Sequence, residues 1–298
     1  MDTIPVSVRN EFDPLKTAIA LPDPRNAIDL DAEGWKGAVD ARELALHPET
    51  GEIVADVLRQ QHQAYIEFLR ANGVQLIEPP LQNDAFCQVF ARDPGFAVND
   101  TLFLASMRDD YRFPEVAGVE ALQSRFSRVV PLTNHNPADP HRPRIEGGDV
   151  MPFDQGNAVL IGTGQISNEE GFDALARELR TQGMQEVVRV PHEALHLDCC
   201  FAPLPNGQAL ASSQLPPASR AILKRYFQLQ PANEQEASRE LALNTFWLNP
   251  ETVVGNARAP ETNARLQELG YNVRALLYDQ LTHEWGAFRC TVCPIERK

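Results

Sequence analysis

At 298 residues, with 43% hydrophobic and 23% charged side chains, the chain carries enough apolar material to bury a large core as a soluble globular protein. A formal net charge of −14 leaves no concentrated basic face, so neither nucleic acid nor an anionic membrane surface is the expected partner. The amino terminus lacks the basic-then-apolar order of a signal peptide, and no apolar run reaches the roughly 18 residues of a membrane helix. With five cysteines, an odd number for a disulfide framework, the expectation is a cytoplasmic protein with reduced thiols.

In chain order, residues 16–21 form an apolar run after the turn formers Asp13 and Pro14 and read as a buried strand. Residues 22–48 are punctuated by Pro, Asp and Gly around Trp35, the pattern of a long binding loop or lid. Apolar residues at 53, 54, 57, 58, 65, 68 and 69 have helical spacing, and Gly73 stands where a C-terminal cap belongs. A strand over 74–77 follows, stopped by Pro79 and Pro80.

The same order then repeats. Strand-like residues 98–105 surround an Asn99–Asp100 turn, before a helix over 116–126 and a strand over 129–132. Further on come a strand (158–162), a helix (172–179, with Gly183 beyond it) and a strand (187–190). A helix over 217–227, a strand over 252–254, a helix over 261–269 capped by Gly270, and strands over 273–277 and 289–294 complete the chain. The count is roughly five strand–helix–strand units of about 50 to 60 residues, compatible either with a repeated architecture or with a plain α/β sandwich.

Chemistry concentrates in the connections. In Phe90-Ala91-Arg92-Asp93-Pro94, proline disfavours helix at Asp93, so this carboxylate either projects from a sheet end into a cleft or sits in a surface turn. In Ile145-Glu146-Gly147-Gly148-Asp149, two glycines separate two carboxylates, which suits a hairpin turn or a close backbone approach. In His196-Leu197-Asp198, an extended backbone would put the imidazole and the carboxylate on one face, as acid/base work requires, although a satisfied structural histidine has the same pattern.

The fourth place is Cys290, beside Arg289. A thiolate nucleophile needs its pKa lowered by a cation, a histidine or a positive substrate. Cys290 and Cys293 form a CxxC, but Pro294 leaves no room for a thioredoxin-like helix, and a zinc site lacks two further ligands at suitable spacing. One thiol, one histidine and several carboxylates, without a phosphate-binding glycine loop, suit attack on a cationic carbon such as that of a guanidinium group.

FARDP, IEGGD, HLDCCF and GAFRC, in this order, resemble the guanidine-modifying enzyme superfamily of arginine deiminases, dimethylarginine hydrolases, arginine dihydrolases and amidinotransferases; the resemblance extends from Asn10-Glu11-Phe12-Asp13-Pro14-Leu15 to Cys290. It implies one catalytic domain over residues 1–298: a five-bladed α/β propeller (pentein) of ββαβ modules about a pseudo-fivefold axis. Cys290 is then expected to attack the guanidinium carbon, and His196 to protonate the departing amine and activate the incoming water or amine. Asp93 and Asp198 are expected to hold the guanidinium nitrogens, Glu146 to support His196 or the substrate, and Asp149 to orient the substrate. Arg92, Arg289, Arg144 and the loop over 22–48 are candidates around the substrate. No metal or organic cofactor is needed for this chemistry.

The departures bear on the reaction. Trp285 stands where arginine deiminases carry the first arginine of an Arg-Gly-Gly-Pro-Arg-Cys run, and the GAF-x-Cys turn is similar to amidinotransferases. HLDCCFAPL is similar to the dihydrolase and dimethylarginine hydrolase branch, which often has Asn where this chain has Asp93. The expectation is a hydrolase releasing citrulline and ammonia or an amine from arginine or an N-substituted arginine. Amidino transfer is the alternative, with a dihydrolase and a non-catalytic propeller-fold binder as further readings. No heptad or tail speaks for an oligomeric state.

Overall fold

The computed structural model describes residues 3–23, 55–82, 85, 87–132, 136, 139 and 141–298. Most of the expected loop over 22–48 therefore lies outside the described residues, as does the start of the expected helix at residue 53. Among the described residues, no helix is long and apolar enough to cross a membrane.

Among the described residues, five three-stranded sheets repeat one pattern: an outer strand antiparallel to the middle strand, then a helix, then a third strand parallel to the middle one. The second sheet shows it, with β3 (Gly95–Val98), β4 (Thr101–Leu104), helix α2 (Phe113–Glu120) and β5 (Val129–Pro131). The third has β6 (Val150–Phe153), β7 (Ala158–Thr163), α3 (Glu169–Thr181) and β8 (Glu186–Pro191). The fourth has β9 (Phe201–Pro203), β10 (Gln208–Ala211), α4 (Pro217–Leu223) and β11 (Gln228–Pro231). A short helix α5 (Glu234–Arg239) leads to the fifth, β12 (Phe246–Asn249), β13 (Thr252–Asn256), α6 (Pro260–Glu268) and β14 (Asn272–Leu276).

The remaining sheet joins the chain ends. Its middle strand is β1 (Leu15–Ile19), followed by α1 (Ala55–Ala71) and β2 (Gln75–Ile77). Its outer strand is β15 (Cys293–Arg297), which lies antiparallel to β1 with Ile19 opposite Cys293. The first module is thus split between the two ends, and the ββαβ repeat of a five-module propeller is complete only once they pair.

The helix of each module falls where the periodicity places it, with shifted ends, as do many strands, whereas β10, β11, β12 and the short helix α5 have no expected counterpart. The helix expected to run to residue 126 stops at Glu120 and is followed by a single 3-10 turn, Gln123–Arg125. The strand expected over 289–294 starts only at Cys293, because residues 289–292 form the turn that presents Cys290. Strands such as β10 (QALA) and β11 (QLQP) carry Gln, Ala and Pro rather than β-branched residues, so they have little sequence signal.

An aromatic cluster supports that turn. Phe288 stacks on Tyr278 at 4.2 Å and meets Tyr65 of α1 edge-on at 5.0 Å. Tyr65 Oη donates to the Phe288 carbonyl, and the Tyr278 hydroxyl bonds to His62 of α1 and to Thr291. All are buried, so α1 fixes both flanks of Cys290 from beneath.

Candidate active site

The outer strand of each module delivers its preceding residues to a common region. Asp93 precedes β3, Glu146 and Asp149 precede β6, His196 and Asp198 precede β9, Asn244 precedes β12, and Cys290 precedes β15. Repetition of one supersecondary unit thus converts five separate connections into one site.

Cys290, Asp93 and His196 line a single cavity. His196 Nε2 lies 3.3 Å from Glu146 Oε2, and its Nδ1 is 3.9 Å from Asp93 Oδ1. Arg112, which the sequence reading passed over, donates to Asp93 Oδ2 (3.2 Å) and Glu146 Oε2 (3.4 Å) and forms a two-pronged pair with Glu115. Asp93 Oδ1 is buried and makes no hydrogen bond among the described residues. It is the open valence of the cluster.

The charges follow from this packing. Burial alone lowers an imidazole pKa, but Asp93 and Glu146 more than reverse that and raise His196 to about 10, so it stands as an imidazolium. Burial raises Asp93 above its usual value against the opposing pull of His196 and Arg112. Burial also works against ionised Glu146, yet its His196 bond and Arg112 hold it below its ordinary value.

Burial, then Asp198 and Asp93, push the Cys290 thiol well above its usual range, with Arg289 opposing only in part. Asn244 is a second residue without a sequence signal of its own. Its Nδ2 donates to Cys290 Sγ at 3.2 Å while its Oδ1 accepts from the Arg289 N–H at 3.0 Å. The thiol is therefore oriented by Asn244, and its surroundings favour the neutral form.

Other expected site residues build the floor. Arg289 donates to Asp198 Oδ2 (2.7 Å), to the Val150 carbonyl (2.8 Å) and to Glu11. Arg92 pairs with Glu11 at 2.7 and 2.9 Å, and its backbone N–H donates to the Cys290 carbonyl at 2.9 Å. Asp149 accepts from the Leu197 N–H (2.7 Å) and bonds to His192 Nε2 (2.9 Å), which ties the IEGGD turn to the HLD turn. Arg92, Arg289, Asp149 and Asp198 thus make framework contacts.

Two local expectations change. Leu197–Cys199 is a 3-10 turn, not extended chain, so His196 and Asp198 do not share a face: one meets Glu146 and the other Arg289. Gly147 and Gly148 also lie in a 3-10 turn, and neither needs a positive φ. Their role is close approach, since a Cβ on Gly147 would come to 2.0 Å from the Arg92 carbonyl oxygen and one on Gly148 to 2.6 Å from the His196 ring.

Ligand atoms of Asp93, Glu146 and His196 lie within 4.8 Å of one another, a spacing a metal ion can use. Arg112 already supplies a fixed positive charge to both carboxylates, and His196 is itself held as a cation, so the cluster's charge is met by the protein's own groups.

A ring of five ββαβ modules with a thiol, an imidazolium and a buried carboxylate at its strand starts places the protein among the guanidine-modifying, pentein-fold proteins. The chain belongs to the arginine deiminase family, whose sequence model matches residues 75–221 and 228–297. Among curated relatives, the uncharacterized protein YkgA of Bacillus subtilis is 27% identical over 257 residues, covering 86% of each chain. An N(G),N(G)-dimethylarginine dimethylaminohydrolase of Streptomyces coelicolor is 24% identical, covering 78% of this chain and 83% of its own. Among solved structures, the amidinotransferase SxtG of Microseira wollei superposes with a TM-score of 0.76 at 18% identity, covering 98% of this chain and 97% of its own.

Proposed function

We propose that the protein is a cysteine hydrolase that cleaves a C–N bond in the guanidinium group of arginine or an N-substituted arginine, releasing citrulline with ammonia or an amine. The observation that carries this reading is Asp93 Oδ1, a buried carboxylate oxygen without a hydrogen bond among the described residues, on the same cavity as Cys290 and His196. A planar cation with several N–H donors completes that oxygen. The cation also supplies what Cys290 lacks: its charge stabilises the thiolate, and the thiol proton passes to solvent.

The sulfur then bonds to the guanidinium carbon. The His196 imidazolium gives its proton to one nitrogen, and the bond from carbon to that nitrogen breaks, leaving a thiouronium on Cys290. Neutral His196 next takes a proton from water as the water oxygen attacks the carbon, and the C–S bond breaks to release the ureido product. Glu146 and Arg112 keep His196 and Asp93 in register for both proton transfers. The Streptomyces relative's name, a dimethylaminohydrolase, supports hydrolysis.

Amidino transfer to an acceptor amine uses the same residues, and the Gly286-Ala287-Phe288-Arg289-Cys290 turn is the feature that favours it. Product analysis by mass spectrometry separates the two. Arginine and methylated arginines incubated without an acceptor should yield citrulline. Ornithine formed only when glycine is supplied overturns the hydrolase reading in favour of transfer, and ornithine with ammonia and no acceptor identifies a dihydrolase.

A further inference from the structure

The cavity holds a second carboxyl group whose bonding is incomplete, and the reaction described above does not use it. Glu284 is 4% exposed, lines the cavity with Cys290 and Asp93, and its Oε2 has no hydrogen-bond partner among the described residues. Leaving a buried carboxylate oxygen unpaired costs free energy that a donor entering the cavity can offset. Burial raises its pKa to about 7, and no charged group among the described residues offsets it.

The backbone around Glu284 is held firmly. Trp285, also on the cavity wall, has φ of 63°, a left-handed conformation that a bulky L-residue keeps only where its surroundings enforce it. Gly286 meets Phe90 so closely that a Cβ would come to 2.0 Å from the ring's Cε1. Phe90 is a further cavity residue. The carboxyl is therefore fixed on the wall by its neighbours while remaining chemically open. That combination describes a recognition group.

We infer that Glu284 determines specificity by taking a second cationic nitrogen of the substrate, so that the favoured ligand carries a guanidinium group for Asp93 and an ammonium group for Glu284. The inference rests on the guanidinium reading of the Asp93–Cys290 end. An ammonium group suits the position better than a neutral donor, because a charge-assisted bond both fills the open oxygen and restores the ionised carboxylate.

The test uses the full chain carrying Cys290→Ser, which holds ligands without turnover, and measures calorimetric affinity for three probes. L-arginine and agmatine carry the second nitrogen as ammonium; 5-guanidinopentanoate has the guanidinium group but no amine. With Glu284 intact, arginine and agmatine should bind roughly ten- to a hundredfold more tightly than 5-guanidinopentanoate, the range of one charged hydrogen bond. Glu284→Gln, nearly isosteric, should close that gap by weakening only the two ammonium ligands, and Glu284→Asp should restore part of it. Retained binding of 5-guanidinopentanoate in Glu284→Gln serves as the check on folding. Equal weakening of all three probes, or a preference untouched by Glu284→Gln, overturns the role of Glu284 alone. Failure of all three probes to bind the Glu284-intact protein overturns the guanidinium reading itself, and this inference with it.

Discussion

Two buried charge clusters sit back to back in this molecule and behave oppositely. In the floor, both Glu11 oxygens receive guanidinium donors from Arg92 and Arg289, and Arg289 continues to Asp198. Burial opposes ionisation of Glu11, but Arg289 and Arg92 overcome it and hold the carboxyl at about 2. On the cavity wall, Asp93 and Glu284 are as deeply buried yet each keeps an oxygen without a hydrogen bond among the described residues, and burial raises both pKa values. Burial is common to the two; what differs is that Glu11 is fully paired whereas Asp93 and Glu284 each keep an open oxygen, as Asp149 Oδ2 in the floor also does.

The comparison breaks most visibly at Cys290. Cys290→Ser should reduce turnover by at least ~10⁴-fold with an unchanged circular dichroism spectrum, because a serine hydroxyl is a far weaker nucleophile than a thiolate. Substantial activity in that variant removes the nucleophile from the wall altogether. His196→Ala should slow turnover by roughly 10²- to 10⁴-fold. Intact-protein mass spectrometry after a substrate pulse should then show an accumulated Cys290 adduct, and its absence contradicts the assignment of both proton transfers to His196.

A floor substitution should instead register in stability. Glu11→Ala leaves the buried Arg92 guanidinium without its carboxylate and Arg289 with Asp198 alone, and should cost about 3–5 kcal/mol in urea unfolding; a loss below about 1 kcal/mol means that the floor is not held by these pairs. Because the folded pKa of Glu11 lies below its ordinary 4.5, the stability it contributes is present above about pH 4.5 and is lost as pH falls towards 2. His196 has the opposite sign. Its pKa is raised from 6.5 to about 10, so its contribution is complete below about pH 6.5 and disappears as pH rises through 10, where protonation of the leaving group also fails. A pH profile whose alkaline limb is unaltered in Glu146→Gln contradicts the pairing that raises it.

The smallest effect lies where wall and floor meet. Asn244→Ala removes one N–H from Cys290 Sγ and the acceptor for the Arg289 N–H, and should lower kcat by about 10- to 100-fold with little change in KM. A change confined to KM assigns Asn244 to ligand contact instead.

The residues that carry chemistry were legible as motifs because each lies at a strand start marked by Gly, Pro or a charged pair, and helical spacing with glycine caps outlined the modules. Gly73 and Gly270 do stand at positive φ, 79° and 93°, just beyond their helices. Partners were not legible. Asp198 was read with His196 from β-alternation, but a 3-10 turn sends it to Arg289, 91 positions away; Glu11 meets Arg289 across 278 positions and Asn244 meets Cys290 across 46.

The sequence by itself determined most of the helices, about half of the strands and the chemical motifs at four strand starts, since periodicity, caps and turn chemistry act over a few residues. Only the tertiary structure decided which carboxylates are paired and which remain open. Ring closure through β15 and β1 brings distant groups within hydrogen-bond reach, and the balance of desolvation against pairing is a property of that shared interior.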